Sequence, residues 1–321
     1  HLICLGEGFT STWFFILSDN DVYSGYGMFY NLSIPERPYN SNRLAPKPVF
    51  SAVAAATRLL EGTKTVCPIE YLGENVLGYC FRRNDKYLFA VWSTDEKERE
   101  IEVPVGCRKI DFYDPMGMRS ELETRDGNAR IKIDGNPVYL LGVSKNAVPE
   151  GKIELSGYPG MNCTSRNWTP SAGSKYYLFN GGTRLPVQVK DDVLTVPSNA
   201  QPGTWLLQAE TADAEKTCSL VKVMDPVGIT SSSPVVMDRF IELSLQNRTD
   251  KELTGKLKLA GKDVGEASLK SGEEKKIRID LADLRLVSPV PRKIAAEFKD
   301  QDGVVSRSQE MRCSVTPAQR A

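Results

Sequence analysis

Histidine is almost absent from this chain: one residue in 321, and it is His1. Away from that terminus, Ser-His-Asp and Cys-His catalysis have no base. A zinc site built on imidazoles lacks its ligands. Net charge is absent too, with Lys plus Arg equal to Asp plus Glu at 41 each. A balanced chain offers no electrostatic case for nucleic acid or an anionic membrane. No run approaches the ~18 apolar residues of a membrane span. The seven cysteines, at 4, 67, 80, 107, 163, 218 and 313, never fall in a C-x2-C spacing, so no metal site is expected from them. No cofactor motif stands out, and carboxylates remain as the general acids and bases.

What is present is mostly β. At 40% apolar and 26% charged the composition is that of an ordinary globular protein. The length suggests two to three domains of ~100–150 residues. Thr10-Ser-Thr-Trp-Phe-Phe-Ile-Leu-Ser-Asp19 is a nearly all-apolar run, as expected of a strand buried on both faces in a parallel sheet. A loop with Tyr23, Tyr26, Phe29 and Tyr30 follows. Pro46-Lys-Pro48 then announces a helix through Leu60, with Gly62 as its stop.

Beyond Gly62, short alternating segments and turns take over. Val76–Phe81 and Tyr87–Trp92 flank a hairpin signal at Arg83-Asn84-Asp85-Lys86. Asp114-Pro115-Met116-Gly117, Asp126-Gly127 and Asp134-Gly135 mark further turns. The spacing predicts an antiparallel sandwich over 64–148. A linker rich in Pro and Gly leads to two Ig-like units, 149–226 and 227–316, and a frayed tail, 317–321. In the first of these, Leu194–Leu207 resembles the "xVPxxAxPGxYxL" passage of bacterial Ig-like domains, with Trp205 as the inward aromatic. In the second, Phe240–Leu245 and Lys256–Leu259 alternate cleanly. N-x-S/T sequons stand at Asn31, Asn162, Asn167 and Asn247.

The string STWFFILSDN, then YGMFYN, then PKPVFSAVAAATRLLEG resembles the end of the catalytic barrel in clan-A glycoside hydrolases, the retaining (β/α)8 enzymes. The strand Pro137-Val-Tyr-Leu140 resembles the one that closes the sandwich behind such barrels, so the resemblance covers about residues 1–142. It implies that 1–63 are the last strand and helix of an incomplete barrel. It further implies hydrolysis of a glycan or polysaccharide by a two-carboxylate retaining mechanism, without cofactor. Both catalytic Glu would lie outside this chain, on the missing N-terminal barrel portion, its implied partner, so the chain alone is expected to be inactive. Glu7 is not the nucleophile. Only five residues separate it from Trp13, too few for the helix that joins parallel strands. It reads as a solvated loop carboxylate.

Active sites of such barrels sit at the C-terminal ends of the strands. That marks Asp19 and Asn20, at the end of the barrel strand, with the aromatics Trp13 and Tyr26, as the substrate-binding candidates. Trp168 is the exposed aromatic candidate in the Ig-like half, whereas Trp92 and Trp205 read as core. Cys163 and Cys218 are spaced to bridge an Ig-like sandwich. The alternative reading is a non-catalytic carbohydrate-binding, adhesion or spacer protein of tandem β-sandwiches. Either way the expected location is extracellular or periplasmic.

Overall fold

The computed structural model describes residues 1–9, 12, 27–31, 44–149, 155–163, 170, 173–191, 193–210, 216–232, 235–236, 239–284, 290 and 292–313. The expected barrel strand at 10–19, apart from Thr12, lies outside them, as does the tail. The chain divides into two compact units. One is His1–Gly151 with Phe179–Arg184 and Gln208–Ser219; the other is Lys152–Leu178, Leu185–Leu207 and Leu220–Ala321.

The first unit begins with a short helix α1 (Leu2–Gly6), strands β1 (Phe29–Asn31) and β2 (Leu44–Pro46), and helix α2 (Pro48–Leu60). Lys47 caps α2 in an extended conformation, and Pro48 stands at its first position, where a missing N–H costs nothing. Glu61 closes the last turn, and Gly62 follows at φ +69°, the left-handed region that glycine enters without penalty. Only Ala55, Leu59 and Leu60 of α2 are buried.

Eight strands follow: β3 (Lys64–Ile69), β4 (Val76–Arg83), β5 (Lys86–Ser93), β6 (Arg99–Pro104), β7 (Lys109–Tyr113), β8 (Arg119–Glu123), β9 (Asn128–Ile133) and β10 (Val138–Val143). Six of them form one antiparallel sheet in the order β3-β4-β5-β10-β7-β8, and β6 pairs with β9. The hairpin at Arg83–Lys86 is formed as the sequence predicts, with Asn84 at φ +54°. Asp126 and Gly127, at φ +52° and +75°, make the tight turn into β9.

Side chains alternate across a strand, so each sheet face can be followed separately. Leu77, Tyr79 and Phe81 of β4 and Leu88, Ala90 and Trp92 of β5 join Leu59 and Leu60 of α2 and Leu2 and Leu5 of α1 in one apolar cluster. Val76, Gly78 and Cys80, with Phe89 and Val91, take the opposite face. There the β6–β9 ribbon contributes buried Val103, Ile131 and Ile133 and touches β5 through β9. The central strands are therefore covered on both sides, by helices on one and by a ribbon on the other.

The barrel expectation is corrected on this point. The buried stripe of α2 rests on an antiparallel sheet. The described strands ahead of it, β1 and β2, pair antiparallel, with Tyr30 opposite Ala45. Among the described residues no barrel βα unit is found. The chain is mainly β, with sheets arranged as in β-sandwich and Ig-like domains.

Strands β11 (Leu155–Gly157), β12 (Lys175–Asn180), β13 (Thr183–Lys190), β14 (Val193–Thr195), β15 (Gly203–Glu210) and β16 (Lys216–Val223) form a sheet in the order β11-β16-β15-β12-β13-β14. Trp205 is inward, as the sequence predicts, and its Nε1 donates to the Gln201 carbonyl at 2.8 Å.

Ten further strands are found among the described residues: β17 (Val227–Ser231), β18 (Val235–Val236), β19 (Phe240–Asn247), β20 (Leu253–Leu259), β21 (Lys262–Leu269), β22 (Glu274–Asp280), β23 (Arg292–Ile294), β24 (Ala296–Asp300), β25 (Val305–Arg307) and β26 (Met311–Cys313). They make sheets β17-β19-β22, β21-β20-β24-β25 and β18-β26-β23. Ile241, Leu243, Leu245, Leu253, Leu257, Leu259 and Phe298 meet in a single core, and their strict alternation in sequence is the cause.

Asn247 locks this core at the end of β19. Its Nδ2 donates to the carbonyls of Lys251, Leu269 and Lys270, and its Oδ1 accepts from the Thr249 N–H and hydroxyl. At 1% exposed, the sequon at Asn247 presents no amide to a glycosyltransferase, whereas Asn162 is exposed. Asn247→Ala leaves several buried backbone groups without partners and is expected to cost about 3 kcal/mol in urea unfolding. Asn247→Asp should cost at least as much, since a carboxylate would face carbonyl oxygens. A loss below about 1 kcal/mol would contradict this role.

Candidate functional site

The residues that the sequence marks for substrate, Asp19, Asn20, Trp13 and Tyr26, lie outside the described residues, as does Trp168. Cys163 carries a thiol that is half-buried and pushed up to about 11 by that burial. The side chain of Cys218 lies outside the described residues.

Within the first unit, the helix-covered face of the sheet leaves one apolar concavity of about 290 Å³. Its walls include His1 and Ile3 from the α1 end, Val53 and Ala56 from α2, and Trp92 and Tyr139 from the sheet. The local folding explains the arrangement. Trp92 has the same parity on β5 as Leu88 and Ala90, so it points toward the helices. It sits near the strand end, and it is only partly buried. Tyr79 backs it, with ring centroids 6.1 Å apart and planes inclined by 32°.

The polar frame around this face is small and specific. The Tyr79 hydroxyl donates to Glu7 Oε1 at 2.6 Å. The Thr65 hydroxyl donates to the Leu5 carbonyl at 2.7 Å. Glu7 remains exposed, as expected of a loop carboxylate, but it also ties α1 to the sheet, which the sequence does not reveal. A Cβ on Gly6 would overlap the Tyr79 ring, so only glycine lets α1 approach this closely. Burial, followed by the hydrogen bond to Glu7, pushes the Tyr79 phenol up to about 12. Burial does the same for Tyr139, also to about 12.

Elsewhere several charged groups are paired with one another. Asp280, paired with Arg239, and Asp95, bonded to Ser93, Lys97 and Arg99, are held below the usual carboxylate range. Burial pushes Asp300 up, but its Oδ1 accepts the N–H groups of Asp302 and Val304, which shapes the Asp302-Gly303 turn. Among the described residues no group of His, Cys, Asp and Glu is placed to hold a metal ion. No described helix is long and apolar enough to cross a membrane.

No family model matches the chain. No curated protein matches it. Among solved structures, the fibronectin(III)-like modules of Clostridium thermocellum CbhA align at 15% identity over 52% of this chain and 92% of theirs, with a TM-score of 0.22. SGBP-B of the Bacteroides ovatus mixed-linkage glucan utilization locus, in complex with a mixed-linkage heptasaccharide, aligns at 14% identity over 68% of this chain and 63% of its own, with a TM-score of 0.24. The Yersinia pseudotuberculosis adhesin InvE aligns at 12% identity over 51% of this chain and 57% of its own, with a TM-score of 0.21.

The two tyrosines give the unit a pH signature. A phenol whose folded pKa is raised keeps its proton when the unfolded chain would lose it. Stability is therefore fully present below pH ~10 and falls as the pH rises from 10 toward 12. Tyr79→Phe, which also loses the bond to Glu7, should shallow this alkaline decline and cost about 1 kcal/mol at neutral pH. Alkaline unfolding curves of the two proteins that coincide would contradict the assignment.

Proposed function

We propose that the chain is a non-catalytic tandem β-sandwich protein that contacts carbohydrate polymers and spaces the surfaces it joins. The observation that carries this reading is the partly exposed Trp92 in an apolar concavity beside Tyr139. The hydrophobic face of a sugar ring stacks on such an aromatic wall, with a worth of about 1 kcal/mol per ring. Antiparallel sandwiches in succession suit a spacer. On this reading the sandwiches occupy 64–148, 149–226 and 227–316, the placement is outside the cytoplasm, and Cys163 pairs with Cys218 in that setting.

A second reading has one observation in its favour. Ile3, Val49 and Phe50 leave apolar surface exposed along α1 and α2, at 50%, 42% and 40%. Such surface fits a helix pair that lies against further protein, such as a separate glycoside hydrolase module. The catalytic Glu pair would then reside outside this chain.

Affinity electrophoresis through a panel of soluble plant and microbial polysaccharides tests the first reading. At least one should retard the protein. Trp92→Ala should weaken that retardation about tenfold, and Trp92→Phe should recover part of it. Migration unchanged in every polysaccharide, or retardation indifferent to Trp92, would sink the proposal.

A further inference from the structure

We propose that Cys67 and Cys80 form a redox pair that closes into a disulfide across β3 and β4. The two residues stand directly opposite each other in the antiparallel register, next to the Pro68–Tyr79 pair. Opposed residues of such a pair carry their side chains on the same face. Here it is the face away from the helices, shared with Gly78 and Phe89.

The backbone geometry permits the bond. Pro68 has no N–H, so its pair with Tyr79 is of the non-hydrogen-bonded kind. Alternation makes the Cys67–Cys80 pair the hydrogen-bonded kind, with Cα atoms about 5.5 Å apart. That falls inside the ~4.4–6.8 Å span of disulfides. The Cβ atoms of a regular pair stand about 5 Å apart, roughly 1 Å wider than a bridge prefers. Two features supply the adjustment. β3 is the edge strand of its sheet, and a register shift separates Thr65 from Cys67, adding a bulge beside the cysteine.

Exposure assigns the roles. Cys80 is fully buried, whereas Cys67 is reachable from solvent. With a small-molecule disulfide as oxidant, the Cys67 thiolate attacks one of its sulfurs. The reagent's S–S bond breaks, a mixed disulfide forms on Cys67, and one thiolate leaves. The Cys80 thiolate then attacks the Cys67 sulfur and expels the second. One S–S bond is lost and one gained, the reagent is reduced to two thiols, and these take up the two protons. The closed loop, residues 67–80, restricts the unfolded chain.

The test uses the full chain, reduced, desalted and exposed to oxidised glutathione. After acid quench and alkylation, the intact protein should be two hydrogens lighter at two fewer alkylations, and its digest should contain a Cys67–Cys80 cross-linked peptide. Its Tm should rise by roughly 5 °C and return on reduction. Cys80→Ala should stop at a glutathione adduct on Cys67, and Cys67→Ser should give neither product. If a variant fails to fold, the wild-type peptide map decides alone. Full alkylation of both cysteines after oxidation, a stable glutathione adduct on wild-type Cys67, or a bridge from Cys67 to Cys4 would each overturn the proposal.

Discussion

Coverage of one antiparallel sheet on both of its faces is the constraint on which the first unit depends. A sheet with a solvated face alternates apolar and polar residues. β4 and β5 cannot do so, because α1 and α2 lie on one side and the β6–β9 ribbon on the other. Tyr79 is where these demands meet. At 3% exposed it touches Gly6 of α1, lies 6.4 Å from the Phe81 ring centroid, and gives its hydroxyl to Glu7. Each large side chain so buried contributes about 1.5–3 kcal/mol. The same packing leaves Trp92 partly buried at the margin of this cluster, beside the concavity.

The C-terminal ten strands solve the same problem differently. Their cores are reached by strict alternation, with Lys, Glu and Arg on the outer positions joined in cross-strand pairs such as Lys276–Glu242 and Arg307–Glu297. Exposed pairs of this kind add little stability. They do discourage edge-to-edge association of exposed strands. A buried polar hub at Asn247 fixes the turn that alternation leaves free.

Much of this was legible in the sequence. Pro48 and Gly62 delimit α2, Asn84-Asp85 turns the β4–β5 hairpin and Asp126-Gly127 turns the chain into β9, all for local reasons. The inward Trp205 instead follows from the resemblance of its passage to Ig-like domains. The mainly β character beyond Gly62 follows from turn spacing. The barrel expectation rests on the apolar run at 10–19, which apart from Thr12 lies outside the described residues, and on α2, whose buried side rests on antiparallel β4 and β5. An apolar run followed by a helix does not by itself reveal which kind of sheet the helix covers. The tie from Glu7 to Tyr79 spans 72 positions and leaves no trace in local pattern. The facing of Cys67 and Cys80 depends on a bulge that shifts the register by one residue, which spacing cannot reveal. The concavity at Trp92 was hidden for a related reason: parity places the ring toward the helices, but its walls come from α1, α2 and the sheet, segments far apart in sequence.

The most direct test of the two-faced sheet is nuclear Overhauser contact in the intact chain between the methyl groups of Leu59 and Leu60 and the aromatic rings of β4. The account requires clear contacts to Tyr79 or Phe81, together with slow amide exchange along β4 and β5. Helix methyl groups without contact to those rings, or rapid exchange of β4 amides, would mean that α2 does not cover the sheet, and the concavity beside Trp92 would go with it.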